Sequence, residues 1–468
     1  MVSDEVNIVW FRRDLRCGDH PAIEEAAKSA RRTLALFVLD DRLLKPAGTP
    51  RRTFLARCLR ALADQLHGHL LIVSGDPTEV VPEVAEKIGA KTVHITADGA
   101  PYGRRRDEAV RRRLDEQGVD LVETGTPYVI PPGRVRKPDG TEYRVFTAFY
   151  RAWTELDKPG PAPSERDAPK WVEPAKLRID ATKTVDLAEL DTELDTEDDG
   201  PQLPEAGERA ALGRWKEFRA GPLADYASDR DRPALDGTSR LSAYLHWGCV
   251  HPRTLLADLH RKRGDGAAAF RRELAWREFL ADVLWHRPES ARRNLDRRFD
   301  DIEYDLGADA WKRFDRWRAG TTGFPFVDAG MRQLAAEAWL HNRARLVVAS
   351  FLIKDLHLPW WWGARHFMQS LVDGDLASNQ HNWQWVAGSG TDAAPYFRVF
   401  NPVTQGRRFD PDGQYVRRHV AELRSVSGRA VHEPWKLDSM PAGYPEPMVD
   451  HGEERQEALR RFGRITGR

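Results

Sequence analysis

Asp373 and Asp375 flank a glycine, Asn379 stands four residues before Trp383, and Trp383 and Trp385 flank Gln384 in the stretch DGDLASNQHNWQWVAGSGTDAAPYFRVFNP, Asp373 to Pro402. The four-residue spacing puts Asn379 and Trp383 on one helical face. Carboxylates, an amide and indoles brought together in this way suit a buried polar, aromatic cofactor pocket, which an ordinary core helix would not need. Arg398, Arg407, Arg408, Arg417 and Arg418 follow, interleaved with Tyr396, Phe397 and Phe400. Arginines among aromatics suit a nucleic-acid backbone with bases stacked nearby; a solvated charged face is the plainer alternative.

Three upstream segments carry further candidates. In Asp236-Gly237-Thr238-Ser239-Arg240-Leu241-Ser242, three hydroxyls lie at a helix start, where backbone N–H groups and the helix dipole suit an anion, or where one hydroxyl merely caps the helix. Glu273, Trp276 and Arg277 fall at i, i+3 and i+4, so a carboxylate and an indole share a face. They either read a planar polar ligand or form an exposed ion pair beside a core tryptophan. Trp339, Asn342, Arg343 and Arg345 interrupt an apolar run with polar groups that cost stability unless they are paired or functional. Arg345 is within reach of pairing with Asp373, and Arg343 of binding a phosphate.

The elements that must position these residues divide in two. Val6–Phe11, Thr33–Leu39, Leu70–Val73, Lys91–Thr96 and Val119–Glu123 read as short apolar strands, alternating with helices over Pro21–Arg31, Arg51–His67, Thr78–Ile88 and Arg104–Gln117. That rhythm predicts βαβ units and a doubly wound parallel sheet, with ligands at the strands' carboxyl ends near Asp40, Ser74-Gly75-Asp76 and Asp98. The first strand runs into Arg12-Arg13-Asp14-Leu15-Arg16 without GxGxxG, so no nicotinamide fingerprint is present. From Asp157 to Gly207 the chain turns proline-rich and acidic, with Pro159, Pro161, Pro163 and then Asp191 to Asp199, and reads as a surface connector with almost nothing to bury. From Glu208 helical periodicity dominates, over Arg209–Ala220, Arg240–Tyr244, Pro252–Arg261, Ala267–His286, Val327–Asp355 and Trp362–Leu371. The fold class is an α/β domain over 1–130, a connector over 131–207 and a large all-α domain over 208–468.

At 468 residues with 41% hydrophobic content, the chain is long enough for two or three buried cores. Lys+Arg and Asp+Glu both total 72, so any polyanion site must come from local clustering. Cys17, Cys58 and Cys249 include no CxxC pair, which argues against structural zinc and a disulfide framework and fits a reducing cytoplasm. No apolar run approaches a membrane span. Of 16 tryptophans, 12 lie after residue 234, an excess that bulk packing seldom needs.

The segments WFRRDLR (Trp10 to Arg16), TSRLSAYLHWG (Thr238 to Gly248), ELAWREF (Glu273 to Phe279), GMRQL, WLHNRAR up to Arg345, DGDLASN, WQW and TDAAPYFRVFNP occur in one order along nearly the whole chain. In these the chain resembles the photolyase/cryptochrome flavoprotein family, most closely class I, actinobacterial-type DNA photolyases acting on cyclobutane pyrimidine dimers. The resemblance implies an antenna domain followed by a helical domain holding FAD, light-dependent repair of UV-damaged DNA, and a monomer. It assigns Tyr226, Thr238, Ser239, Leu241 and Ser242 to the flavin phosphates. Trp339, Asn342, Arg345, Asp373, Asp375 and Asn379 fall around the isoalloxazine, with Phe270 (a tryptophan in many relatives) and Arg277 also on the cofactor side. Glu273, Trp276, Asn342 and Trp385 match the lesion pocket, and Arg343 and Arg398 the phosphates flanking the lesion. Trp383 and Trp360 match the inner two members of a photoreduction chain. No tryptophan occurs between Asp301 and Ala310 for the outer position, which leaves Tyr304, Trp311, Trp317, Trp361 or Trp362 as substitutes.

Leu346 stands where a methionine is common, keeping the volume and losing a thioether. Asp98, with Arg51, matches an antenna site, for which 8-hydroxy-5-deazaflavin is the first choice and methenyltetrahydrofolate the second; Ala100 replaces a frequent glutamate there. The alternatives within the resemblance are a non-enzymatic blue-light photoreceptor of the cryptochrome kind and repair of six-four photoproducts, for which His341 and His381 would have to act as the histidine pair.

Overall fold

The structure, a computed structural model, describes residues 3–162, 169–176, 184–194, 200–392 and 397–467. Pro163, the acidic end of the connector at Asp195, Asp198 and Asp199, and Tyr396 lie outside the described residues.

Strands β1 (Ser3–Phe11), β2 (Ala30–Leu39), β3 (Leu70–Ser74), β4 (Thr92–Ile95) and β5 (Asp120–Glu123) form a parallel sheet in the order β3-β2-β1-β4-β5. Because a parallel sheet is covered on both faces, its strands are apolar at consecutive positions. Val9 and Phe11, Ala35 and Phe37, and Leu70 and Ile72 enter one core, whereas Ile8 and Trp10, Leu34 and Leu36, and Leu71 and Val73 enter another. The helices alternate with the strands as the pattern predicts, at Pro21–Ser29, Thr49–Gln65, Pro77–Ile88 and Pro101–Asp115. The Pro77–Ile88 helix is capped by Asp76, which accepts from the Thr78 N–H at 2.9 Å, and stops at Gly89 with φ +65°, where a side chain would be strained. The order reverses between β1 and β4, which opens a crevice at their carboxyl ends.

The connector departs from expectation. Lys170–Trp171 forms a sixth strand, β6, parallel to β2, and Leu190 and Leu194 are fully buried in the core shared with β1. Earlier in the connector the Phe146–Glu155 helix buries Phe146, Phe149 and Trp153 against the long Asp265–His286 helix. The segment is therefore fastened to both halves.

Beyond residue 200 no strand occurs among the described residues. The run expected as one helix over 327–355 is instead two, Pro325–Glu337 and Asn342–Ser350, followed by a wide π turn at Phe351–Asp355. The break is at Ala338, held at φ +46° without the help of a glycine. His341 restarts the helix by accepting the Arg343 N–H at 3.1 Å on Nδ1. The helix expected from Arg240 begins at Ser242, since Arg240 sits at φ +51°. A final helix over His451–Thr466 was not anticipated. Among the described residues no helix is long and apolar enough to cross a membrane.

Candidate active site

The carboxylates of the DGD turn are both committed to arginines. Arg345, on the helix begun by His341, donates to the two oxygens of Asp373 at 3.1 and 2.8 Å, the pair expected from sequence. Asp375 caps the Leu376–Ala387 helix through the Ser378 N–H at 2.9 Å and pairs at 2.7 Å with Arg13, from the loop after β1. Burial opposes its ionisation, but Arg13 and then the neighbouring His246 hold the carboxyl well below the usual range. One turn on, Asn379 donates from Nδ2 to the Ala364 carbonyl and to Gln380 Oε1, both at 2.9 Å, and among the described residues its own oxygen has no partner. Trp383 lies directly on the backbone of Gly363, where a Cβ would stand 2.1 Å from the indole.

Glu273 and Tyr226 are joined by Arg230, which pairs with Glu273 at 2.7 Å and lies over the Tyr226 ring at 5.7 Å. The next residue, Asp231, pairs at 2.7 Å with Arg343, whose guanidinium also covers Phe409 at 4.2 Å. Arg230 and Asp231 escaped the sequence reading because SDRDR looks like an ordinary charged run. Trp276 stacks on Phe146 with centroids 3.7 Å apart and planes 10° apart, so one indole face is backed and the other remains for a ligand. Trp385 donates from Nε1 to the Asp392 carbonyl at 3.2 Å. Asn342 is exposed on the first turn of its helix, and Arg398 is exposed with its carbonyl accepting from Lys354. Leu346 is half-buried against the helical core.

At the segment before the Ser242 helix, Arg214 donates to the carbonyls of Thr238 and Ser239 at 2.9 and 3.1 Å. Among the described residues the hydroxyls of Thr238 and Ser242 have no partner, and Leu241 is buried beside them. Trp339 is covered by Arg240 at 4.2 Å. Phe270 packs inward against Trp215, Phe218 and Tyr226 rather than facing an open site. Arg277 spends its guanidinium on the carbonyls of Pro127 and Leu245 at 2.8 and 3.0 Å, which joins the α/β part to the helical part.

The two tryptophans expected in sequence are not ring neighbours. Among the described residues Trp383 contacts Phe367 at 5.0 Å and Trp317 at 6.3 Å, while Trp360 contacts Trp361 at 6.0 Å. From Trp317 the aromatic contacts continue through Phe314 at 5.6 Å to Trp362 at 5.5 Å, which stacks at 3.9 Å on half-exposed Trp311. His341 and His381 are both buried, and burial pushes each down to about 4. His341 is spent on its helix cap and His381 bonds Ser290 at 2.9 Å, so neither is a ready proton donor.

Two further features matter. Glu278, one residue after Arg277, is 3% exposed and accepts from the Val129 N–H at 2.6 Å, the Ile130 N–H at 3.2 Å and Trp153 Nε1 at 2.6 Å. It thereby pins the loop that follows β5 and the Phe146 helix beneath Trp276; the sequence shows it only as one glutamate among many. Asp98 and Arg51 both line a cavity of about 1190 Å³ at the β1/β4 crevice, between the two halves. Asp98 accepts from the Ala100 N–H at 3.0 Å, and Arg51 donates to the Met368 carbonyl at 2.6 Å.

Fold and site together define a two-part class: a parallel α/β sheet with a crevice at its switch point, joined to a helical domain with an arginine–carboxylate–amide cluster. Residues 7–166 match the family model described as DNA photolyase, and residues 270–464 the FAD binding domain of DNA photolyase. The chain is 42% identical to the deoxyribodipyrimidine photo-lyase of Streptomyces griseus over 99% of each chain. It superposes on the crystal structure of a bacterial class III photolyase from Agrobacterium tumefaciens with TM-score 0.90 and 33% identity, covering 100% of this chain and 99% of that one. An archaeal photolyase from Sulfolobus tokodaii, solved with two FAD molecules, aligns with TM-score 0.83 and 28% identity over 98% of this chain and 100% of the other. The chain belongs to the DNA photolyase family.

Proposed function

We propose that the protein uses light to split cyclobutane pyrimidine dimers in UV-damaged DNA, with FAD held in its helical domain. The observation that carries this reading is the match, over 99% of the chain, to a deoxyribodipyrimidine photo-lyase.

The residues present fit FAD. Thr238 and Ser242, whose hydroxyls have no partner among the described residues, would hold its diphosphate, and the Asn379 amide and the Arg345–Asp373 pair would meet its polar ring edge. Tyr226, Ser239, Leu241 and Trp339 belong to the same lining. When bound and fully reduced, FAD supplies the photoexcited electron that opens the cyclobutane ring and takes it back afterwards.

The chain's own work is to bind and orient. A dimer inside a duplex is out of reach, so it must be extruded, and photolyases are themselves a standard instance of base flipping. The free face of Trp276, backed by Phe146, and the ring of Trp385 offer the extruded bases aromatic surfaces. Glu273, with one oxygen held by Arg230, presents the other to a thymine N–H, and Asn342 adds an amide at the rim. Arg343 and Arg398 reach flanking phosphates, which fix position and carry no sequence information. For electron supply from the surface, we infer a route from Trp311 through Trp362 and Trp317 to Trp383, alongside one through Trp361 and Trp360.

The test is to mix the reduced, FAD-loaded protein with an oligonucleotide bearing a thymine dimer, illuminate with near-UV to blue light, and assay restored thymines. Repair is expected, and its loss in Glu273→Ala/Trp276→Ala; no repair by the fully reduced protein would remove the reading.

A further inference from the structure

The segment 397–400 has no helix or strand ladder of its own to fix the Arg398 backbone. Side chains from three other elements do it. Lys354, in the π turn at Phe351–Asp355, is 4% exposed; its Nζ donates to the Arg398 carbonyl and lies over the Phe397 ring at 4.2 Å. Phe462, on the His451–Thr466 helix, stacks on that ring with centroids 4.4 Å apart and planes 7° apart. Ser350, which ends the Asn342–Ser350 helix, accepts the Phe400 N–H at 3.3 Å.

Lys354 is an expensive way to fill space. Among the described residues it makes no ion pair, and the adjacent Asp355 pairs with His451 instead. An ammonium kept from water by a carbonyl and a ring alone costs more than a leucine or methionine of similar volume would, and burial pushes this one down to about 7. Packing does not account for it, whereas a fixed Arg398 carbonyl does. The Phe462 ring is set in place by the polar contacts of its own helix: His451 with Asp355, Glu454 with His357 at 2.6 Å and Arg461 with Asp305 at 2.7 Å. A half-buried phenylalanine adds little to a core, and among the described residues its closest ring partner is the residue before Arg398.

We propose that Lys354 and Phe462 are positioning residues for DNA binding: by fixing the backbone at Phe397 and Arg398 they hold the Arg398 guanidinium where it meets a phosphate beside the lesion. An exposed arginine on an irregular segment would otherwise have to be ordered at the moment of binding, which weakens association. The inference rests on the reading of Arg398 as a phosphate contact. It adds that the final helix, which carries no DNA contact in that reading, takes part in binding through Phe397.

Fluorescence anisotropy in the dark, with the FAD-loaded, full-length protein and a labelled duplex containing a thymine dimer, measures the affinity over a range of salt concentrations. Arg398→Ala should lower the slope of log K against log salt by about 0.9, the share of one phosphate. Lys354→Met and Phe462→Ala should each weaken binding about three- to ten-fold and lower the slope in the same direction, with Phe462→Tyr close to wild type. Added to Arg398→Ala, neither should weaken binding further. A general loss of structure would leave the slope alone and would add to Arg398→Ala, so either result overturns the proposal, as does wild-type affinity in both single variants. Should Lys354→Met fail to fold, Phe462→Ala at its half-buried position carries the same test alone. An Arg398→Ala variant with unchanged affinity and slope would overturn the phosphate contact and the positioning with it, while dimer repair by the wild-type protein would still stand as the separate test of the proposed function.

Discussion

Replacing Glu278 with alanine strands three buried donors at once: the N–H groups of Val129 and Ile130 and the indole N–H of Trp153. Each unsatisfied donor costs about 1–3 kcal/mol. Against this, removing the carboxylate relieves its own burial, which pushes its pKa up. The net expectation is a loss of roughly 3–5 kcal/mol, at the high end for a single substitution. Glu278→Gln keeps the volume and one acceptor, and its loss should be about half as large. The effect should also reach function, because these bonds hold the Phe146–Glu155 helix on which Trp276 is stacked. Urea unfolding of the FAD-loaded protein measures the first effect, and affinity for dimer-containing DNA the second. The expected pattern is lower stability and weaker DNA binding with FAD content retained. An alanine variant within about 1 kcal/mol of wild type would refute the argument, as would one that loses FAD while binding DNA normally.

Trp317→Phe should lower the yield of long-lived tryptophan radical in transient absorption, and Trp317→Phe/Trp360→Phe should nearly abolish it; an unchanged yield in the single variant would remove Trp317 from the route. Gly363→Ala places a methyl 2.1 Å from the Trp383 ring and should displace that indole, seen as altered flavin fluorescence quenching with the fold intact by circular dichroism. His94, His246, His341 and His381 are each pushed by burial from 6.5 down to about 4, so the unfolded chain binds more protons between those values. Their contribution to stability is present above pH 6.5 and lost as pH falls toward 4, by roughly 3–5 kcal/mol between pH 6 and pH 5. A flat profile in denaturant titrations over that unit would contradict this.

The sheet was legible because each strand is a short, continuous apolar run, and strands buried on both faces write themselves that way. The Arg345–Asp373 pair was legible because a charge in an apolar helix needs a partner. Other features left no comparable trace. Ala338 breaks its helix without glycine or proline, the two residues whose backbone limits announce a break. Lys170–Trp171 is too short to show alternation. The stack of Trp276 on Phe146 and the links from Arg230 to Glu273 and from Asp231 to Arg343 join distant segments, and local pattern does not report such contacts. Arg105, Arg292 with Arg293, and Arg365 line the crevice cavity from three separate stretches, so a chain of zero net charge conceals their clustering.

Val9 and Phe11 of the central strand share one core with Leu245 and Phe270 of the helical domain, and Leu190 and Leu194 of the connector close it. Two domains fused through a common interior melt together and have no hinge between them. When such a body meets a duplex, nearly all the deformation must be taken up by the nucleic acid. Recognition would then begin as a mechanical test of the DNA: sites whose stacking is already weakened yield to the protein, and intact ones do not.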